Sequence, residues 1–410
     1  MMIKSTVLLF ISAIISCSNN LNTKSLQNSV AIKDKLPKKI ITGANQTSEY
    51  LTLIQGKNVG IVANQTSVIF KTEASNHYTH LVDSLLVLGV NIKKVFAPEH
   101  GFRGHKDAGE HVKDDIDIKT GLPIISLYGK NKKPTSEQLK DIDVIIFDIQ
   151  DVGARFYTYI SSLHYVLEAC AESHIPVIIL DRPNPNGHYV DGPVLDMAFQ
   201  SFVGMHPVPV VHGMTIGEYA KMIVGEKWLS QGIKPDLTVI PNKNYNRHMR
   251  YHLPIKPSPN LPNDTSINLY PSLCFFEGTN ISIGRGTAHP FQVIGAPYFL
   301  AKDFTFSFSP KPNDGAKSPK HNGELCYGYD LQESKPIDNL NLQWLIDTYN
   351  YYSKNTKYCK PFFNAFFTKL AGTKTLQEQI ESGFSELEIR KTWSSGLKRF
   401  KQIRKQYLLY

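Results

Sequence analysis

Between Val59 and Ile240, short apolar runs alternate with segments of helical period, and this rhythm constrains the fold more than any other feature of the chain. The runs at 59–63, 91–97, 123–127, 143–147, 176–180 and 237–240 read as strands. Val144-Ile145-Ile146-Phe147 and Val177-Ile178-Ile179-Leu180 are apolar at every position, as strands covered on both faces of a parallel sheet must be. Helices read between them: 80–88 with Leu81, Leu85 and Leu88 on one face, a helix opened by Ser136, 157–173 with Ile160, Leu163, Leu167 and Cys170 on one face, and 218–229. The alternation predicts an α/β fold, an open parallel sheet with right-handed crossovers, over residues 40–250.

After Tyr251 the rhythm is lost. Pro254, Pro257, Pro259 and Pro262 crowd together, and a Ser/Lys/Pro-rich loop follows at 309–322. The end is helical again, with Ile389, Trp393, Leu397 and Phe400 on one stripe and Lys398, Arg399, Lys401, Arg404 and Lys405 opposite. That basic face is expected to be solvated or to meet an anionic surface. Residues 251–410 therefore read as a smaller mixed α+β domain.

The N-terminus reads as an address. Lys4 precedes the apolar run Val7–Ile15, too short to span a bilayer, and Ile14-Ile15-Ser16-Cys17 resembles a lipobox. Residues 1–17 are thus expected to be a lipoprotein signal with Cys17 as the acylated residue. The Asn/Ser/Lys-rich stretch 18–39 would be a flexible tether, and the protein would be lipid-anchored in the cell envelope. Export permits disulfides, but the irregular spacing and apolar neighbours of Cys170, Cys274, Cys326 and Cys359 favour buried free thiols. The net charge of +9 suits an anionic partner. It is spread along the chain without zinc-finger spacing or an RNA-binding signature, so no nucleic-acid partner is expected.

In open α/β sheets, ligands bind beyond the carboxyl ends of the strands. Four strands here run into polar clusters: Asn64-Gln65-Thr66, Pro98-Glu99-His100-Gly101-Phe102-Arg103-Gly104, Asp148 through Arg155, and Asp181 through Gly187. Four such clusters on one edge predict a concave polar site. Glu99, after Pro98 and flanked by His100, suits a general acid if partly desolvated; the alternative is a structural pair with Arg103. Asp148, Asp151 and Asp181 could supply a second carboxylate or cap the helices that follow. Arg103, Arg155, Arg182 and Arg285 lie in Gly/Pro-rich loops where a guanidinium can clamp a carboxylate. His100, His105 and His111 with Asp107 and Glu110 are the densest potential metal set, yet their spacing fits no named site. No G-x-S-x-G elbow, P-loop or G-x-G-x-x-G is present.

Several blocks resemble the exo-β-N-acetylmuramidase family of peptidoglycan glycosidases. They are Gly60-Ile61-Val62-Ala63-Asn64-Gln65-Thr66-Ser67, 98–104, 147–159, Leu180-Asp181-Arg182-Pro183-Asn184-Pro185, His212-Gly213-Met214-Thr215-Ile216-Gly217-Glu218 and Phe276-Glu277-Gly278-Thr279-Asn280. The similarity runs from about Thr42 to Tyr410. It implies a Rossmann-like domain, a smaller C-terminal domain and a site in the cleft between them. It also implies release of N-acetylmuramic acid from the non-reducing ends of peptidoglycan fragments without a cofactor, with Glu99 matching the family's proposed catalytic glutamate.

Glycoside cleavage needs an acid for the leaving oxygen and a group that stabilises the oxocarbenium-like centre. Asp151, then Asp148 and Glu277, are the candidates for the second role, unless the substrate's own acetamido group serves. Asn64, Gln65, His100, Arg103, Arg155, Asp181, Arg182, Asn184, Glu277, Asn280 and Arg285 are the expected substrate-binding residues, the arginines facing the lactyl carboxylate. The rival readings are a non-catalytic cell-wall-binding lipoprotein and a metal-dependent hydrolase.

Overall fold

The strand runs assemble as one seven-stranded sheet. In the computed structural model, which describes residues 38–70, 77–103, 115–354 and 360–410, its order is Leu237–Ile240, Val177–Leu180, Val144–Asp148, Asn58–Ala63, Asn91–Ala97, Pro123–Ser126 and Asp115–Ile116. The first six are parallel, and the short last strand pairs antiparallel at one edge. The path through the sheet begins at Asn58–Ala63, winds outward through Asn91–Ala97 and Pro123–Ser126, then returns to the other side of Asn58–Ala63. This is the Rossmann strand order, with its topological switch between Asn58–Ala63 and Val144–Asp148.

Strand alternation sorts the apolar residues onto two faces. Ile61, Ala63, Val144, Ile146, Ile178 and Leu180 join Leu81, Val82, Leu85 and Tyr50 in one core. Val62, Ile145, Phe147, Val177 and Ile179 face the helices Tyr159–Glu172 and Ile216–Gly225 in the other. That second core continues through Leu273, Phe275, Phe276, Phe367 and Phe400, so the C-terminal half packs directly over this face. Lys39–Tyr410 form one compact unit. The C-terminal half carries a three-stranded antiparallel sheet, ordered Val293–Ala296, Cys326–Asp330, Phe306–Phe308, and ends in the helix Glu386–Arg404.

Helix ends depart from the periodicity because side-chain caps set them. Thr215 and Glu218 form a capping box, so the helix expected from Glu218 starts at Ile216 and stops at Gly225. Thr135, not Ser136, caps the helix Ser136–Leu139. Leu88 falls beyond the last turn of Leu81–Val87 and is half exposed; Val82 takes its place in the core. Ile389, Trp393 and Phe400 are buried as expected, but Arg404 leaves the solvated face and donates to the Gly213 carbonyl at 2.8 Å.

Candidate active site

The Asn91–Ala97 strand delivers Glu99 to the carboxyl edge of the sheet. Gly101 N–H bonds back to the Pro98 carbonyl at 3.0 Å, and His100 and Gly101 both adopt positive φ, 73° and 75°, reversing the chain tightly. Thr158 stands at the N-cap of Tyr159–Glu172, but its hydroxyl makes no cap there. It donates instead to Glu99 Oε2 at 2.9 Å, which fixes the direction of that carboxyl group.

Glu99 and His100 line a cavity of about 300 Å³ whose opposite wall comes from the C-terminal half. That volume suits a small ligand such as one sugar ring. The short 3₁₀ turn Cys274–Gly278 contributes Glu277, which pairs with Arg285 at 3.1 Å; both side chains are about one-quarter exposed and both line the cavity. Arg285 also donates to the Gly315 carbonyl at 3.2 Å. Behind the turn, Lys320 Nζ donates to the carbonyls of Phe276 and Thr279, each at 2.7 Å, and burial pushes the ammonium down to about 8. Tyr157, Phe156 and Tyr270 supply apolar wall.

A third wall is the proline-rich segment, carrying Ser258 and Asn260. It is latched to the sheet edge by donors onto the Pro257 carbonyl: Tyr157 OH at 2.9 Å and Gln65 Nε2 at 3.0 Å. Asn64 Nδ2 holds the neighbouring Tyr159 phenol at 2.9 Å while its Oδ1 accepts from Thr66 N–H. Asn64 and Gln65 thus shape the cavity from behind.

The other strand-end residues are taken up by the fold. Arg182 forms a two-pronged pair with Asp148, 2.6 and 2.8 Å, and both are fully or nearly fully buried at the switch point. Arg155 has no exposed surface and donates to four carbonyls, Pro193, Val208, Leu370 and Ala371, each at 2.8 or 2.9 Å. Arg103, expected to bind substrate or else to pair with Glu99, pairs instead with Asp117, at 2.7 and 3.2 Å, and with Asp83 at 3.3 Å.

Asp181 accepts from Thr215 Oγ1, Gly217 N–H and Tyr410 OH, at 2.7–2.8 Å, and burial pushes it up to about 7. Asn184 lies against Gly153, where φ is 78° and a Cβ would sit 2.4 Å from the Asn184 amide. Asn280 bonds Tyr298 OH and the Pro361 carbonyl. Asp151 is buried, accepts from Gly153 N–H at 2.7 Å, and lies 3.8 Å from His212 Nε2. Burial pushes Asp151 up to about 7 and His212 down to about 3. Of the expected residues, the cavity therefore gathers Glu99, His100, Glu277 and Arg285, and among the carboxylates expected as Glu99's partner only Glu277 lines it.

Cys170, Cys274 and Cys326 are buried free thiols; Cys359 lies outside the described residues, as do Cys17, His105, Asp107, Glu110 and His111. Among the described residues no three His, Cys, Asp or Glu side chains gather as a metal site. Thr158, Tyr157, Asn260 and Lys320 were not singled out from sequence. In the sequence Thr158 falls inside the segment read as the helix 157–173, and Lys320 inside the Ser/Lys/Pro-rich loop 309–322.

Residues 59–265 match the family described as exo-beta-N-acetylmuramidase NamZ, N-terminal, and residues 268–410 match its C-terminal counterpart. The chain is 38% identical over 391 residues to the peptidoglycan beta-N-acetylmuramidase NamZ of Bacillus subtilis (strain 168), spanning 88% of this chain and 89% of that protein. It also resembles the crystal structures of two DUF1343 family proteins from Bacteroides fragilis NCTC 9343. One has a TM-score of 0.82 and 45% identity, covering 91% of this chain and 99% of that one. The second has a TM-score of 0.76 and 29% identity, covering 90% and 99%.

Proposed function

The chain belongs to the exo-β-N-acetylmuramidase family of glycoside hydrolases, and from that premise we propose that it releases N-acetylmuramic acid from the non-reducing ends of peptidoglycan fragments, with Glu99 as general acid. One observation carries the reading: Glu99 from the sheet edge and the Glu277–Arg285 pair from the C-terminal half line the same sugar-sized cavity. Thr158 fixes the Glu99 carboxyl in place, so its proton meets the glycosidic oxygen in a set direction. Glu277 is the carboxylate placed to stabilise positive charge at the anomeric carbon. Arg285 is the guanidinium placed to meet the lactyl carboxylate.

The test is Glu99→Gln on a chromogenic N-acetylmuramide. The amide keeps the shape and the bond to Thr158 but has no acidic proton to give. Turnover should fall at least about 100-fold with the melting temperature unchanged. Near-wild-type turnover in the folded variant would remove Glu99 from the mechanism.

The proposal extends to location. The apolar run Val7–Ile15 followed by Cys17 supports export and acylation, placing the enzyme in the cell envelope beside its polymer.

A further inference from the structure

From Ile389 to Tyr410 the chain has seven Lys or Arg and no Asp or Glu. The helix Glu386–Arg404 sorts them by burial. Arg390 pairs with Asp191 at 2.6 Å, and Arg404 is spent on the Gly213 carbonyl. Lys391, Lys398, Arg399, Lys401 and Lys405 are all exposed. Among the described residues none of these five forms an ion pair, although Lys391 has a weak electrostatic effect on Glu388. Lys391, Lys398 and Lys405 recur every seven residues, so they make one stripe roughly 21 Å long at 1.5 Å per residue. Leu387, 65% exposed, lies on the same stripe one turn before Lys391. The opposite face is anchored: Ile389, Trp393 and Phe400 are buried, and Gly396 packs on Val194.

We infer that this outward face docks on an anionic lipid surface. The shape decides the partner. Four of the five cations are lysines, flexible point charges without the fixed fork that reads a single carboxylate or phosphate. They stand on a convex helix, where they can follow a flat sheet of headgroups. Leu387 follows Glu386 and precedes Glu388, and it stands at the end of the lysine stripe, where an exposed apolar side chain can insert below the headgroups. A soluble polyanion makes no use of Leu387.

The Lys39–Tyr410 unit contains every described strand and both apolar cores, so it is the piece to test, free of the N-terminal apolar run. It should sediment with phosphatidylcholine vesicles containing phosphatidylglycerol, fail to do so with phosphatidylcholine alone, and be released by high salt. At about fivefold per cation near the surface, changing Lys391, Lys398, Lys401 and Lys405 together to Gln should weaken partitioning on the order of several hundred-fold. Leu387→Ser should cost a further few-fold on vesicles and nothing on soluble polyglutamate. Both variants should melt with the wild type, because the altered side chains are exposed. Equal sedimentation with neutral vesicles, undiminished binding of the quadruple variant, or indifference of vesicle binding to Leu387→Ser would each overturn the inference.

Discussion

Arg285 and Arg182 both lie in Gly/Pro-rich polar loops, yet the structure gives them opposite work, and one paired experiment separates them. Arg182 sits against Asp148 with almost no exposure, and Asp148 has none. Arg182→Met leaves that carboxylate buried and alone, a loss of about 3–5 kcal/mol. A folding unit of this size has an unfolding entropy of roughly 0.8 kcal/mol/K, so the melting temperature should fall by about 4–6 °C. The preference of the folded enzyme for a chromogenic N-acetylmuramide over the N-acetylglucosaminide should not change.

Arg285, a quarter exposed in the cavity wall, should behave the other way. If Arg285 clamps the lactyl carboxylate as proposed, Arg285→Ala should cost about 1.5–3 kcal/mol, a drop of roughly 10–150-fold in the muramide-to-glucosaminide ratio. Its effect on Glu277 falls on both substrates and cancels in that ratio. Melting curves and kcat/KM on both substrates are the assay. A collapsed ratio in Arg182→Met at unchanged melting temperature, or an unchanged ratio in Arg285→Ala, would refute the assignment.

Two further outcomes follow from other parts of the chain. Burial holds the Asp151 carboxyl at about 7 in the fold, against about 4 in an unfolded chain, so the native state binds this proton more tightly. The stability it contributes is complete below about pH 4 and is lost as pH rises through about 7; Asp151→Asn should therefore flatten part of the fall in melting temperature between about pH 4 and 7, and parallel profiles would refute the raised value. Cys17→Ala should abolish fatty-acid labelling and move the protein to the soluble fraction after a high-salt wash, which also strips any contact made by the basic helix. Membrane retention without label in wild type and variant alike would refute acylation at Cys17.

The sheet was legible because its central strands are covered on both faces: an apolar run is what survives there, and Val144, Ile145, Ile146 and Phe147 are all buried. Glu99 was legible for a related reason, since Pro98 ends a strand of known direction and the next residue must stand at the carboxyl edge. The remaining polar residues at that edge were not separable by type. A buried tie and a ligand clamp both call for Arg and Asp beside Gly or Pro, and what distinguishes them is a partner far along the chain. Asp148 and Arg182 are 34 residues apart, and Arg155 meets Leu370 across 215. Neither separation leaves a local pattern.

Thr158 shows the same limit from the other side. A threonine before a helix satisfies every local rule for a cap, and only the return of the Glu99 turn to that helix redirects its hydroxyl. At this sheet edge most of the polar side chains are consumed in holding the loops and the C-terminal half in place. The groups left facing the cavity are the ones whose partners, like Thr158 for Glu99 and Arg285 for Glu277, orient a carboxylate without burying it.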